Sequence, residues 1–137
     1  MCMAKNGHTG KILDKKDGFE IVDCEACQFK HALPIPSNAE LEKFYGKEFY
    51  SHTKPKYFSD MEEDLDWWMA AYKNYYGLLE RHTVGKRLLD IGSGPGYFLK
   101  CGADLGWETI GFEPSEQACE YSRKLGVTAV NDFFSEA

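Results

Sequence analysis

The spacing of apolar positions along the chain changes near residue 85. In residues 61–79, apolar side chains recur at steps of three and four, which is the period of one face of an α-helix. They are Met61, Leu65, Trp68, Met69, Tyr72, Tyr76 and Leu79. Ser59 and Glu62 have the spacing of a capping box, so one long helix is predicted from Ser59. We expect its aromatic stripe to pack in a core, with a ligand-stacking surface as the alternative.

After residue 85, short apolar runs alternate with helical patterns. Strands are predicted at 87–91, 107–112 and 127–130, with helices at 97–105 and 116–125 between them. Ser115 is the predicted N-cap of the second helix. A βαβαβ order favours an α/β fold with a parallel sheet and right-handed crossovers. We therefore predict the N-terminal βαβαβ portion of a doubly wound, Rossmann-like parallel sheet over residues 85–137.

Two shorter segments precede this region. Residues 1–36 contain two strand candidates joined by Asp17-Gly18, a pair typical of tight hairpins. Residues 37–84 have a helical pattern, and Ser37 is the predicted N-cap of a short helix. The predicted organisation is a β-hairpin lobe (1–36), a helical leader (37–84) and the α/β region (85–137).

Composition narrows the class of protein. The 137 residues carry a net charge of −6 with 43% hydrophobic and 28% charged residues, as expected of one globular domain. An acidic chain without a basic patch argues against nucleic-acid binding. No apolar run reaches the length of a membrane span and the N-terminus lacks a signal-peptide core, so a cytoplasmic location is predicted. The five cysteines are expected to be reduced thiols.

Residues 87–96, RLLDIGSGPG, hold the strongest chemical signal. An apolar strand carries Asp90 and then breaks into alternating glycines at Gly92, Gly94 and Gly96. Glycine permits a positive φ and lets a ligand approach the backbone, and the following helix presents free N–H groups. The stretch therefore predicts a nucleotide-type cofactor loop.

Each predicted strand ends near an acid, namely Asp90, Glu113 and Asp132. Glu113 lies 21 residues after Gly92, close to the distance of ~20 residues at which a carboxylate reaches ribose hydroxyls. A dinucleotide-binding loop of the form G-x-G-x-x-G would need a glycine at Tyr97. An acid two residues before the first glycine suits a cationic ligand with an ammonium and a sulfonium better than a pyrophosphate.

The stretches LLDIGSGPGYFL and IGFEPS resemble the first two cofactor motifs of class I S-adenosylmethionine-dependent methyltransferases. The resemblance covers roughly residues 86–134. It implies that Asp90 and the loop would hold the methionine and ribose of the cofactor, that Glu113 would accept the ribose hydroxyls, and that Asp132 and Phe133 would lie at the adenine. For Asp132, a helix cap or a solvated turn is the alternative. The implied cofactor-binding residues are Asp90, Gly92, Ser93, Gly94, Gly96, Glu113, Pro114, Asp132 and Phe133.

The segment DGFEIVDCEACQFKHALPIPSNAELEKFYGKEFY, residues 17–50, resembles the leader that precedes some bacterial methyltransferase domains, in which a zinc ribbon is common. Cys24 and Cys27 form one C-x-x-C pair, whereas Cys2 stands alone with Asn6 or His8 near the place of its partner. A structural zinc needs four N or S ligands, which Cys2, His8, Cys24 and Cys27 would supply. The alternative is a ribbon without metal. We expect two other histidines, His31 and His52, at the surface.

The resemblance implies a methyltransferase, or its cofactor-binding portion, acting on a small-molecule, sugar-linked or lipid-linked acceptor. No catalytic residue is identified. The chain resembles the N-terminal portion of such an enzyme, and we expect self-association if its sheet is truncated. Two alternatives stay open: a fragment of a nicotinamide- or flavin-dependent oxidoreductase, and a non-enzymatic zinc-ribbon-type interaction module. Five aromatic residues are candidates for a lid over the cofactor or for helix packing: Tyr45, Phe49, Tyr50, Tyr57 and Phe58.

Overall fold

The computed structural model describes residues 7–135 and has a mixed α/β architecture. The chain divides into two compact units, Met1–Glu40 and Leu41–Ala137. The first contains an antiparallel three-stranded sheet and the second a parallel three-stranded sheet. The helices after residue 40 belong to the same unit as the parallel sheet.

The first unit is built on strands β1 (Gly10–Lys16), β2 (Phe19–Cys24) and β3 (Lys30–Leu33), in the order β1-β2-β3. The predicted hairpin is confirmed: Asp17 and Gly18 both have positive φ, 50° and 85°, which matches the twist of the flanking strands. The third strand is not predicted from the sequence. It forms because β2 offers a partner edge for residues 30–33.

The helices of the second unit differ from the sequence prediction at their ends. The single helix predicted from Ser59 is wrong, because two helices form and are interrupted at Asp64. Ser59 lies inside the first of them, where its hydroxyl donates to the Lys56 carbonyl at 2.9 Å instead of capping. Among residues 7–135, no helix is both long and apolar enough to cross a membrane. The helical segments are α1 (Asn38–Lys43), a π-helix (Phe44–Thr53), α2 (Tyr57–Glu63) and α3 (Leu65–Glu80).

The predicted parallel βαβαβ arrangement is confirmed over the described residues. Strands pair in the order β4-β5-β6, and Gly111 in the central strand lies opposite both Asp90 and Ala129. All three strands therefore end at the same edge of the sheet. The elements are β4 (Arg87–Ile91), α4 (Tyr97–Asp104), β5 (Glu108–Phe112), α5 (Glu116–Lys124) and β6 (Thr128–Val130).

The aromatic stripe of α3 packs in a core, as predicted. Tyr76 is fully buried, contacts Cys101 and Trp107, and donates from its hydroxyl to the Phe98 carbonyl at 3.1 Å. These contacts fix α4 at the end of β4, immediately after the glycine loop. Several apolar side chains of the parallel strands are exposed, namely Leu89, Ile91, Ile110 and Val130.

Candidate functional site

The glycine loop joins the end of β4 to the start of α4. Gly92, Gly94 and Gly96 all have positive φ, of 81°, 54° and 82°. A Cβ placed on Gly92 would meet no atom within 4 Å, so the backbone is open to a ligand there. A Cβ on Gly96 would lie 2.5 Å from Ser122 Oγ, so this glycine is needed for packing against α5. Two of the three glycines thus serve different purposes: Gly92 leaves its backbone accessible, and Gly96 allows close packing against α5.

Glu113 connects the loop to α5 through its carboxylate. Its Oε2 accepts a hydrogen bond from the Gly94 N–H at 2.9 Å, and its Oε1 accepts one from the Ser115 N–H at 2.9 Å. The side chain is 5% exposed. This burial raises the pKa of Glu113, although the N–H groups of Ser115 and Gly94 favour the ionised form and nearby Asp90 opposes it. The glycine loop and the acid at the end of β5, which the sequence predicts as parts of one site, are therefore in direct contact.

Side chains at the ends of β5 and β6 fix the edge of the site. Asn131 donates from Nδ2 to the carbonyls of Glu113 at 3.1 Å and Pro114 at 3.0 Å. Ser115 caps α5 by accepting the Ala118 N–H at 3.4 Å. Position 115 is the predicted N-cap, whereas the role of Asn131 is missed by the sequence analysis.

A cavity of about 440 Å³ opens at this edge, within the volume range of small-molecule sites. Ser93 Oγ is buried there and lacks a hydrogen-bond partner among residues 7–135. Most of the implied cofactor-binding residues line the cavity: Gly92, Ser93, Gly94, Glu113, Pro114, Asp132 and Phe133. The other two, Asp90 and Gly96, do not line it.

The other two strand-end acids have different surroundings. Asp90 is half-buried, and this burial raises the pKa of its carboxyl. Asp132 is exposed, and its Oδ1 accepts the N–H of Phe133 at 2.7 Å. The structure therefore shows Asp132 in a local turn contact, the alternative that the sequence analysis left open, while also placing it at the cavity.

Aromatic side chains form another wall of the cavity. The π-helix contributes Tyr45, Phe49 and Tyr50, and α2 contributes Tyr57. Burial and the charge of Glu113 raise the pKa of the Tyr50 hydroxyl. Phe58 does not line the cavity and stacks instead on Tyr121 of α5, with ring centroids 4.2 Å apart. The aromatic candidates thus divide into four cavity residues and one packing residue.

A second cluster of reactive side chains lies in the first unit. One ligand atom from each of His8, Cys24, Cys27 and His31 lies within 4.8 Å of the others, so the cluster could bind a metal such as zinc. The surface position expected for His31 is wrong, because its ring joins this cluster. Cys2, the fourth ligand considered from the sequence, lies outside the described residues.

The environment of Cys24 favours its thiolate. Burial of the sulfur opposes ionisation, but the backbone N–H of Cys27, the rings of His31 and His8 and the side chain of Cys27 stabilise the charge. Together they lower the pKa of Cys24 to about 6. A thiolate is the form of cysteine that binds metals.

No model of a known protein family matches this sequence, and a search of curated proteins finds no match either.

Proposed function

We propose that residues 41–137 bind S-adenosylmethionine and belong to a methyltransferase with a Rossmann-like fold. The observation that carries the proposal is the contact of the Glu113 carboxylate with the Gly94 N–H beside a cavity of cofactor size. Glu113, the acid at the sequence distance expected for ribose binding, and the glycine loop therefore lie together at the edge of one cavity.

The residues present fit this cofactor. Each Glu113 oxygen accepts one backbone N–H and keeps further lone pairs, which suit ribose hydroxyls. Gly92 leaves its backbone accessible, and the aromatic wall provides π faces that attract a cationic ligand. When bound, S-adenosylmethionine supplies an electrophilic methyl group on a sulfonium. The chain would contribute mainly binding and orientation, with a small-molecule or sugar-linked compound as acceptor.

Isothermal titration calorimetry with S-adenosylmethionine and S-adenosylhomocysteine tests the proposal. We expect saturable binding of both to the folded chain. Glu113→Gln should weaken binding about tenfold, or ~1.4 kcal/mol, because an amide NH₂ replaces one acceptor oxygen. Glu116→Gln is the matched control, since Glu116 is exposed on α5 and pairs with Arg123.

Three outcomes would count against this function or against the role of Glu113 in it. A folded sample that gives no heat with millimolar cofactor contradicts S-adenosylmethionine binding. Saturable fluorescence enhancement of NADH would instead favour the nicotinamide-dependent oxidoreductase considered from the sequence. Equal affinities of the Glu113 and Glu116 variants would remove Glu113 from the binding site.

A further inference from the structure

We propose that His8, Cys24, Cys27 and His31 form a complete four-ligand zinc site, in which His31 rather than Cys2 is the fourth ligand. The inference concerns the first unit and is independent of cofactor binding by the second. It rests on the backbone that gathers these residues, on the hydrogen bonding of His31 and on the distances between the ligand atoms.

The antiparallel sheet brings distant residues to one end. Cys24 is the last residue of β2 and lies opposite Gly10, so His8 reaches the same end two residues before β1 begins. His31 is the second residue of β3 and pairs with Val22, two residues before Cys24. Residues separated by up to 23 positions therefore meet through strand register rather than through a local motif.

The turn between β2 and β3 is closed by backbone hydrogen bonds. The Gln28 N–H donates to the Cys24 carbonyl at 2.9 Å, and the Cys24 N–H donates to the Phe29 carbonyl at 3.1 Å. The Glu25 N–H donates to the Thr9 carbonyl at 2.9 Å, which attaches the turn to the segment that carries His8. All four ligand positions are thus held by one hydrogen-bonded framework.

The hydrogen bonding of His31 leaves one ring nitrogen ready for a metal. Its Nδ1 lies 3.2 Å from the Ala32 carbonyl, which only accepts, so Nδ1 carries the proton. When the ring is neutral, Nε2 has a lone pair, and it is buried without a hydrogen-bond partner among the residues that the structure describes. A carbonyl that fixes the tautomer of a metal-binding histidine is a common second-shell arrangement. A metal ion would satisfy this nitrogen.

The distances suit a tetrahedral site. Zinc bonds of the usual lengths separate neighbouring ligand atoms by about 3.3–3.8 Å. Cys24 Sγ and His8 Nδ1 already lie 3.5 Å apart, and all four ligand atoms fall within 4.8 Å. The rings of His8 and His31 are perpendicular, with centroids 4.8 Å apart, so they approach the centre from different directions. Two thiolates balance the charge of Zn²⁺, and four protein ligands leave no open position, which is typical of a structural site.

Differential alkylation of the 137-residue chain, loaded with Zn²⁺ or treated with chelator, tests the ligand set without any variant. The expected result is that zinc protects Cys24 and Cys27 while Cys2 reacts equally with and without metal. Protection of Cys2 by zinc would overturn the proposal, because it would show three thiolate ligands. Absence of any zinc-dependent protection would overturn it as well.

Metal titration of variants gives a second measurement. His31→Ala should lower zinc affinity by more than about 100-fold, beyond the loss typical of second-shell changes. It should also abolish the visible spectrum of tetrahedral Co²⁺. Cys2→Ser and His52→Ala should keep one metal per chain with unchanged affinity, since His52 is exposed and its ring contacts Ser51. Retention of metal by His31→Ala together with its loss in Cys2→Ser would assign the fourth ligand to Cys2 and refute the proposal.

Discussion

Gly111 offers a sharp test of how the parallel sheet supports the glycine loop. A Cβ at this position would lie 2.7 Å from Ser93 Cβ and 2.8 Å from Leu99 Cδ1. Carbon atoms in contact normally lie about 3.5–4.0 Å apart, so Gly111→Ala creates an overlap of about 1 Å with each. Both neighbours are buried, so their side chains have little free space into which to move. Overpacking of this kind costs about 1–3 kcal/mol, and two buried contacts place the expected loss near 3 kcal/mol.

Urea unfolding and thermal melting measure this loss. At about 4–8 °C per kcal/mol for a domain of this size, the melting temperature should fall by at least ~12 °C. Gly77→Ala is the matched control, because Gly77 lies inside α3 and a Cβ there would meet nothing within 4 Å. That variant should gain about 0.5–1 kcal/mol from the better helix propensity of alanine. The same chemical change is therefore expected to have opposite signs at the two positions.

A double variant separates steric overlap from other effects of Gly111→Ala. Ser93→Gly removes the serine contacts and leaves only the overlap with Leu99. Gly111→Ala should then cost roughly 1 kcal/mol less than it does in the wild-type background. An unchanged melting temperature for Gly111→Ala, or an equal cost in both backgrounds, would refute the view that the strand excludes a side chain to make room for the loop.

Substitutions at three other positions test local energetics. Ser115→Ala removes the acceptor for the Ala118 N–H and should cost about 1 kcal/mol in urea unfolding, whereas Ser115→Asp should retain most of the stability. Gln28 has a φ of 60°, a left-handed conformation that is strained for a residue with a Cβ. Gln28→Gly should remove this strain and stabilise the first unit by about 0.5–1 kcal/mol; a lower melting temperature would contradict the presence of strain. Asp90→Asn tests a pH dependence. Burial raises the pKa of Asp90 above 3.8, so the native state binds the proton more tightly than the unfolded chain does. The stability of the wild type should therefore fall as the pH rises from 3.8 through the raised pKa of the native state. The asparagine variant should show a smaller slope, because Asp90 no longer contributes to it while Glu113, whose pKa burial also raises, still does, and it should melt higher at pH 7. Equal slopes would contradict burial of the Asp90 carboxyl.

The features that the sequence predicts well are those whose cause is local. The βαβαβ order follows from apolar runs punctuated by glycine, and the loop glycines have the positive φ that their residue type suggests. Ser115 is the N-cap of α5, as expected from its position before a helical pattern. At these places, backbone preference and tertiary packing favour the same conformation.

The features that the sequence does not predict depend on distant partners. Strand β3 has no alternating pattern of its own and forms through its pairing with β2. The position of His31 beside His8, Cys24 and Cys27 follows from that same register, so no neighbouring residue indicates it. Serine is a residue type favoured at helix N-caps, but α2 begins two residues before Ser59. The Ser59 hydroxyl instead donates to the Lys56 carbonyl.

Because the Glu113 carboxylate accepts two backbone N–H groups, ligand binding at the site can be followed by the NMR signals of those two protons. The amide protons of Gly94 and Ser115 belong to different elements, yet each points to an oxygen of the same side chain. Any molecule that withdraws electron density from that carboxylate shifts both amide resonances, whereas a molecule bound elsewhere leaves the pair unmoved. Two nitrogen-bound protons thus report, in one heteronuclear correlation spectrum, whether the two motifs respond together to an added compound.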